Sequence, residues 1–182
     1  NLIVTAGGET FLGSEQDIFL DEFQIGTTDS GADLRIRTSG SIINAVGSGA
    51  TNITSGDLLL EASTGSIGAM DNRIYLDLID VIGDKASLTA RTTGDVVLTE
   101  LDGDMNVSTI YSSAGDVDLI ADGSIFDDNG NEFVNIEAND IRLTTGAGGI
   151  SGGIGEDGNA LDIEARGDGL AIGHGLLTAT AE

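Results

Sequence analysis

The chain has 182 residues, with 31 Asp and Glu against 7 Lys and Arg, one His, no Cys and no Pro, and a formal net charge of −24 at pH 7. That balance excludes the basic surface that a phosphate backbone requires and disfavours an anionic membrane, so no nucleic acid and no membrane insertion are expected; no run approaches the roughly eighteen apolar residues of a spanning helix. The absence of Cys excludes a disulfide framework and thiolate metal sites, a single His and a single Lys leave little for catalysis, and an apolar fraction of 40% still suffices for a core.

In chain order the sequence reads as short strands of period two, separated by Gly, Asn, Asp, Ser and Thr. After Val4-Thr5-Ala6, the stretch Ser14 to Phe23 has helix-start residues at Ser14 and Asp17, but its match to a later segment makes it a strand. Leu34/Ile36 come next, then Leu58, Leu60 and Ala62 inward with Leu59 and Glu61 outward. Ile74/Leu76/Leu78, Val96/Leu98 and Met105/Val107 continue the period. Val117, Leu119 and Ala121 point inward with Asp118 outward; Ile141/Leu143 and Leu161/Ile163 close the series, with Asp162 and Glu164 outward.

The chain also matches itself. Asp33-Leu34…Gly40-Ser41-Ile42 aligns with Asp116-Val117…Gly123-Ser124-Ile125, and Asn52-Ile53…Asp57…Leu60 with Asn135-Ile136…Asp140…Leu143, both at an offset of 83. Ile67-Gly68…Asn72…Ile74…Leu76 aligns with Ile154-Gly155…Asn159…Leu161…Ile163 at 87, and Asp17-Ile18-Phe19-Leu20…Glu22 with Asp95-Val96-Val97-Leu98…Glu100 at 78. Val4-Thr5-Ala6, Leu88-Thr89-Ala90 and Leu177-Thr178-Ala179 share a phase. The expected fold is therefore all-β: a right-handed parallel β-helix of about 21 residues per coil, with a long repeat of about 84 residues that spans about four coils. Gly at the corners is expected to supply positive φ, and the Asp after it to bond neighbouring amides. Residues 1–182 form one solenoid segment: repeat one about 1–84, repeat two about 85–175, and the start of a third at 176–182. About nine coils would make a rod of roughly 40 Å. Asn1 in place of Met suggests a segment cut from a longer array. Leu2 and Ile3 at one end and Leu176 and Leu177 at the other lack a capping element, so the array is expected to continue covalently or to stack head to tail.

The phrases Leu88-Thr89-Ala90, Gly94-Asp95-Val96-Val97-Leu98-Thr99-Glu100-Leu101-Asp102-Gly103-Asp104-Met105-Asn106-Val107, Gly115-Asp116-Val117-Asp118-Leu119-Ile120-Ala121-Asp122-Gly123-Ser124-Ile125 and Gly152-Gly153-Ile154-Gly155 resemble the repeats of filamentous-haemagglutinin-like giant bacterial exoproteins and adhesins. The resemblance runs along essentially the whole chain and is one of repeat style, without a catalytic signature. It implies a right-handed parallel β-helix, an extracellular or bacterial cell-surface location, and service as a stalk, fibre or adhesin.

Several local motifs bear on chemistry. Gly173-His174-Gly175, with Asp127-Asp128, is similar to the Gly-His-Gly and aspartate pair of β-helical pectin hydrolases, but the other elements of that signature are absent and a turn histidine is the simpler account. Gly152-Gly153-Ile154-Gly155-Glu156-Asp157 is one copy of a calcium-binding nonapeptide that works only in tandem. Asp102-x-Asp104-x-Asn106 begins like an EF-hand loop, with Val107 where Gly is needed. No cofactor is expected; if Ca²⁺ is bound, its ligands are Asp102, Asp104, Asp127, Asp128 and Asp157, within a face that is otherwise solvated acid. Gly153-x-Gly155-x-x-Gly158 lacks the helix a dinucleotide needs, and Asn52-x-Thr54 and Asn106-x-Ser108 are formal glycosylation sequons. Arg35 and Arg37 point outward on one strand, where they can pair with carboxylates or grip an anionic glycan.

The expected function is structural or adhesive and not enzymatic, with self-association or covalent continuation through the solenoid ends and host or surface glycans as further partners. The alternative is a β-helical polysaccharide-acting enzyme or glycan-binding module. That reading requires a cleft lined by Arg, Asp and aromatic residues on one face, with Tyr75 and Tyr111 available to stack sugars.

Overall fold

The computed structural model describes residues 1–27, 30–81, 84–130, 133–149, 151–167 and 175–181, and contains no helix among them. The first half holds strands β1 Leu2–Ala6, β2 Thr10–Ser14, β3 Ile18–Thr27, β4 Ser30–Gly31, β5 Leu34–Thr38, β6 Ile42–Asn44, β7 Ile53–Ser55, β8 Leu58–Ala62 and β9 Ile74–Leu78. The second half holds β10 Ser87–Thr92, β11 Val96–Glu100, β12 Met105–Ser112, β13 Val117–Ala121, β14 Ile125–Asp127, β15 Ile136–Ala138, β16 Ile141–Thr145, β17 Ile163–Ala165 and β18 Leu177–Ala181. Ser14 to Phe23 is strand and turn, as the repeat argument required.

The strands form two sheets. One follows the path β1-β3-β7-β9-β11-β13-β16-β18, with β4 and β6 beside β3; the other follows β2-β5-β8-β10-β12-β15-β17, with β14 beside β12. All these pairings are parallel except the two-residue contact of β4 with β3. The chain passes from one sheet to the other and back, an all-β architecture consistent with a parallel β-helix.

Alternation explains the core. In the second sheet Leu12, Ile36, Leu60, Ala90, Ile110, Ile136 and Ile163 are register partners in succession. Ile36 to Ile136 of this column are fully buried. In the first sheet Phe23, Ile53 and Leu76 make the matching column. Burial of each Leu or Ile contributes about 1.5–3 kcal/mol, and no single coil can supply the partners by itself.

Register corrects two expectations. The six steps from Leu12 to Ile163 average about 25 residues, and individual steps range from 20 between Ala90 and Ile110 to 30 between Leu60 and Ala90. A 21-residue step does occur, between Val96 and Val117. Turns absorb the variation because added residues there cost little, whereas a one-residue slip in a strand would turn its apolar face outward. The eight strands along the first sheet are seven steps, roughly 34 Å at ~4.8 Å each.

Second, the long repeat does not span a whole number of coils. Leu34 lies in the second sheet and its repeat mate Val117 in the first; Ile53 lies in the first and Ile136 in the second. Val4-Thr5-Ala6 and Leu177-Thr178-Ala179 share the first sheet, while Leu88-Thr89-Ala90 is in the second. Each repeat is thus three and a half coils, and the same sequence serves both sheets alternately. The topological mate of β3 is β12, not β11: each is a long strand that pairs with two short ones, β6 and β7 or β14 and β15. The 78-residue alignment of Asp17–Glu22 with Asp95–Glu100 is therefore superseded by an offset of 87, which matches Ile18 to Met105 and Phe23 to Ile110.

Candidate functional site

The acidic turns are organised by an amide ladder. Ser41 N–H donates to Asp17 Oδ1 at 2.7 Å, Ser66 N–H to Ser41 Oγ at 3.2 Å, and Asp95 N–H to Ser66 Oγ at 3.0 Å. The series continues with Asp116 N–H to Asp95 Oδ1 at 3.0 Å, Asp140 N–H to Asp116 Oδ1 at 3.1 Å, and Leu176 N–H to Asp140 Oδ1 at 2.8 Å. Each side-chain oxygen accepts the backbone N–H of the next rung, so the expected Asp–amide contact is realised along the molecule. The preceding glycines serve a different purpose from the one expected. A Cβ on Gly94 would stand 2.8 Å from the Gly65 carbonyl oxygen, and one on Gly115 2.4 Å from the Gly94 carbonyl carbon. Close stacking of backbones requires these glycines. Positive φ is instead found at residues such as Gly68 (72°) and Gly155 (66°), each of which leads into a tight turn, Ala69–Asn72 or Glu156–Asn159.

The five acids considered for Ca²⁺ are separated by these turns. Asp104 Oδ1 accepts Ser124 N–H at 2.8 Å, a rung like those above. Asp102 and Asp104 line one groove with Asp77 and Asp80. Asp127 is buried at the end of β14, where its Oδ1 accepts Asn129 N–H at 2.8 Å and Asn135 Nδ2–H at 2.6 Å, while Asp128 is exposed beside it. The repeat mate of Asp127 is Asn44, whose Oδ1 accepts Val46 N–H at 2.8 Å and Asn52 Nδ2–H at 3.0 Å. An uncharged amide thus does the same work in the other repeat. Asp157 is exposed in the Glu156–Asn159 turn. Among the described residues no group of three or more His, Cys, Asp or Glu side chains is placed to hold a metal ion.

His174 lies outside the described residues. Asn52 and Asn106 are buried, so neither sequon presents its amide to solvent. Arg35 and Arg37 both pair with Glu61 Oε2, at 3.0 and 2.9 Å. Burial works against the charge on Glu61, but the two guanidiniums outweigh it and hold this carboxyl below its ordinary range.

Two acidic side chains of the first sheet are buried. Asp118, expected outside, is buried: the Arg73 guanidinium pairs with its Oδ1 and also donates to Thr99 Oγ1 at 3.1 Å. The Ala69–Asn72 turn brings Arg73 over this outer face of the first sheet, where Val97, the register partner of Asp118, is also buried. Glu100 takes an inward place between Leu76 and Ala121 and is 1% exposed. Burial pushes its carboxyl up to about 8, against the pull of hydrogen bonds from the backbone N–H groups of Leu78 and Asp102. The period that placed Leu98 inside also placed Glu100 there, two residues on.

The outer face of the second sheet carries the only strand column rich in cations among the described residues. Arg37, Glu61, Arg91, Tyr111 and Glu137 are successive register partners. Arg37, Glu61, Arg91 and Tyr111, with the hydroxyls of Ser63, Thr93, Thr109 and Ser113, line an open groove of about 540 Å³. Tyr111 reaches this face because of a bulge. Leu88 pairs with Val107 but Thr89 with Thr109, which leaves Ser108 extra in β12. The alternation that puts Met105 and Val107 inside would otherwise bury Tyr111; after Ser108, Ile110 turns inward and Tyr111 outward. Arg166 sits 5.5 Å from the centre of the Tyr111 ring and pairs with Glu137 at 3.0 Å.

Comparisons with protein-family models, with curated proteins and with solved structures each returned no match.

Proposed function

We propose that this chain is a structural, adhesive segment of a secreted bacterial surface fibre or giant adhesin, built as a right-handed parallel β-helix. The single observation that carries the reading is the amide ladder from Asp17 to Leu176, parallel to the apolar column from Leu12 to Ile163. Both extend along the stacked strands from one end of the sheets to the other, which suits mechanical reach. Right-handedness is the expectation for parallel strands joined by crossovers, about 98% of which take that hand. The resemblance to filamentous-haemagglutinin-like repeats supports the surface location.

Elongation in this reading proceeds through β1 and β18, the outermost strands of the first sheet, where Leu2, Ile3, Leu176 and Leu177 are exposed. Unpaired edges with apolar side chains favour continuation by another coil. Negative-stain electron microscopy of the native material, in Ca²⁺ and then in chelator, tests the proposal. Continuous fibres much longer than ~34 Å are expected. Short, discrete particles would overturn it, and fibres lost only in chelator would assign the acidic turns to Ca²⁺.

A further inference from the structure

Arg91 is exposed on β10 and makes no hydrogen bond, ion pair or ring contact among the described residues. The other cationic side chains are all engaged. Arg35 and Arg37 share Glu61, Arg73 and Arg142 share Asp118, Arg166 holds Glu137, and Lys85 lies over the Phe126 ring. In a chain with 31 acidic residues, a cation without a partner is unexpected. Its nearest acidic neighbour in register, Glu61, is already held by two guanidiniums.

We propose that the groove containing Arg91 and Tyr111 binds an anionic saccharide, with Arg91 holding its carboxylate or sulfate and Tyr111 carrying a pyranose face. The chemistry of the lining fits this class. A guanidinium is a fork for an oxyanion, an aromatic ring stacks on the C–H face of a sugar, and the exposed hydroxyls of Ser63, Thr93 and Ser113 match ring hydroxyls. The Tyr111 ring is positioned by the Ser108 bulge and by Arg166, so little ordering is required on binding. The net charge of −24 does not forbid an anion here, because remote carboxylates are screened beyond ~8 Å at physiological salt. The local count on this face is four Arg against Glu61, Glu137 and Glu164. The site goes beyond the structural reading and stands whether or not the chain belongs to a fibre.

Calorimetric titration of the whole chain with three probes tests it: an oligogalacturonate, a heparin fragment and a neutral cello-oligosaccharide. At least one acidic probe binds and the neutral one does not; binding of the oligogalacturonate shows that a carboxylate suffices, and binding of heparin alone shows that sulfate is required. Arg91→Gln weakens that binding about tenfold, the loss of one charge-assisted contact, with an unchanged thermal melt. Tyr111→Leu weakens it too, whereas Tyr111→Phe retains it. Arg142→Gln, on the other sheet, serves as control. No binding of either acidic probe, equal binding of the neutral one, or an equal loss in Arg142→Gln overturns the proposal. Fibres seen by microscopy are unaffected by Arg91→Gln, so failure of this site and failure of the fibre reading are distinguishable.

Discussion

Asp95 Oδ1 accepts the backbone N–H of Asp116 at 3.0 Å, across 21 residues of chain and one step of the first sheet. A turn carboxylate thereby takes over the satisfaction of an amide that the strand ladder leaves at its margin, and Asp116 repeats the service for Asp140. Ser41 and Ser66 hold equivalent rungs, so the requirement is a short side chain with an acceptor oxygen and not a charge.

Asp116→Ala removes the acceptor of the Asp140 amide and is expected to cost about 1 kcal/mol. Asp116→Ser, which copies rungs 41 and 66, is expected to recover most of that loss. Urea denaturation of the two variants, with unchanged m-values, makes the comparison.

Gly94→Ala places a Cβ 2.8 Å from the Gly65 carbonyl oxygen and 2.3 Å from Ser66 Oγ. Separation of the two coils is expected to cost about 1–3 kcal/mol. Gly7→Ala, whose Cβ meets nothing within 4 Å, is expected to stay within about 0.5 kcal/mol of the parent. Equal melting temperatures for the two variants would refute the stacking role of Gly94.

Arg73→Leu leaves Asp118, whose side chain is 3% exposed, with only Arg142 at 3.8 Å. A buried charge without a close partner is expected to cost about 3–5 kcal/mol. The double variant Arg73→Leu/Asp118→Leu regains most of this stability, and a double-mutant cycle measures the coupling.

Glu100 binds its proton more tightly folded than unfolded, since burial lifts its carboxyl from 4.5 to about 8. Its contribution is complete below pH ~4.5 and falls as pH rises towards ~8, by up to about 1.4 kcal/mol per pH unit in that window. Glu100→Gln keeps an acceptor for the Leu78 amide and cannot ionise, so its stability is expected to be flatter between these limits and higher than the parent above pH 8. A parent profile that rises through this window would contradict the assignment.

Much of the fold was legible because the buried side chains obey a period of two wherever the strand is regular. Leu58, Leu60, Val96, Leu98, Val117, Leu119, Ile141 and Leu143 are all buried as the alternation required. The repeat was legible too, since Ile67-Gly68 and Ile154-Gly155 enter the same turn in both copies. The sites were less so. Tyr111 falls on the wrong parity without the Ser108 bulge, and nothing in the local residues announces that insertion. Asp118 reads as a solvated acid because Arg73, 45 residues earlier, is brought over it by a turn. Asp127 shares its hydrogen-bonding role with Asn44, an equivalence that is seen only in three dimensions.

By itself the sequence determined the all-β class, the inward columns and the repeated turns, because period-two burial and short acceptor side chains are local requirements written residue by residue. Only the tertiary structure decided that a repeat covers three and a half coils, which sheet each copy joins, and which polar groups meet. Those outcomes depend on summed turn lengths and on one-residue bulges, and a small change in either moves a side chain to the opposite face while the local pattern stays the same.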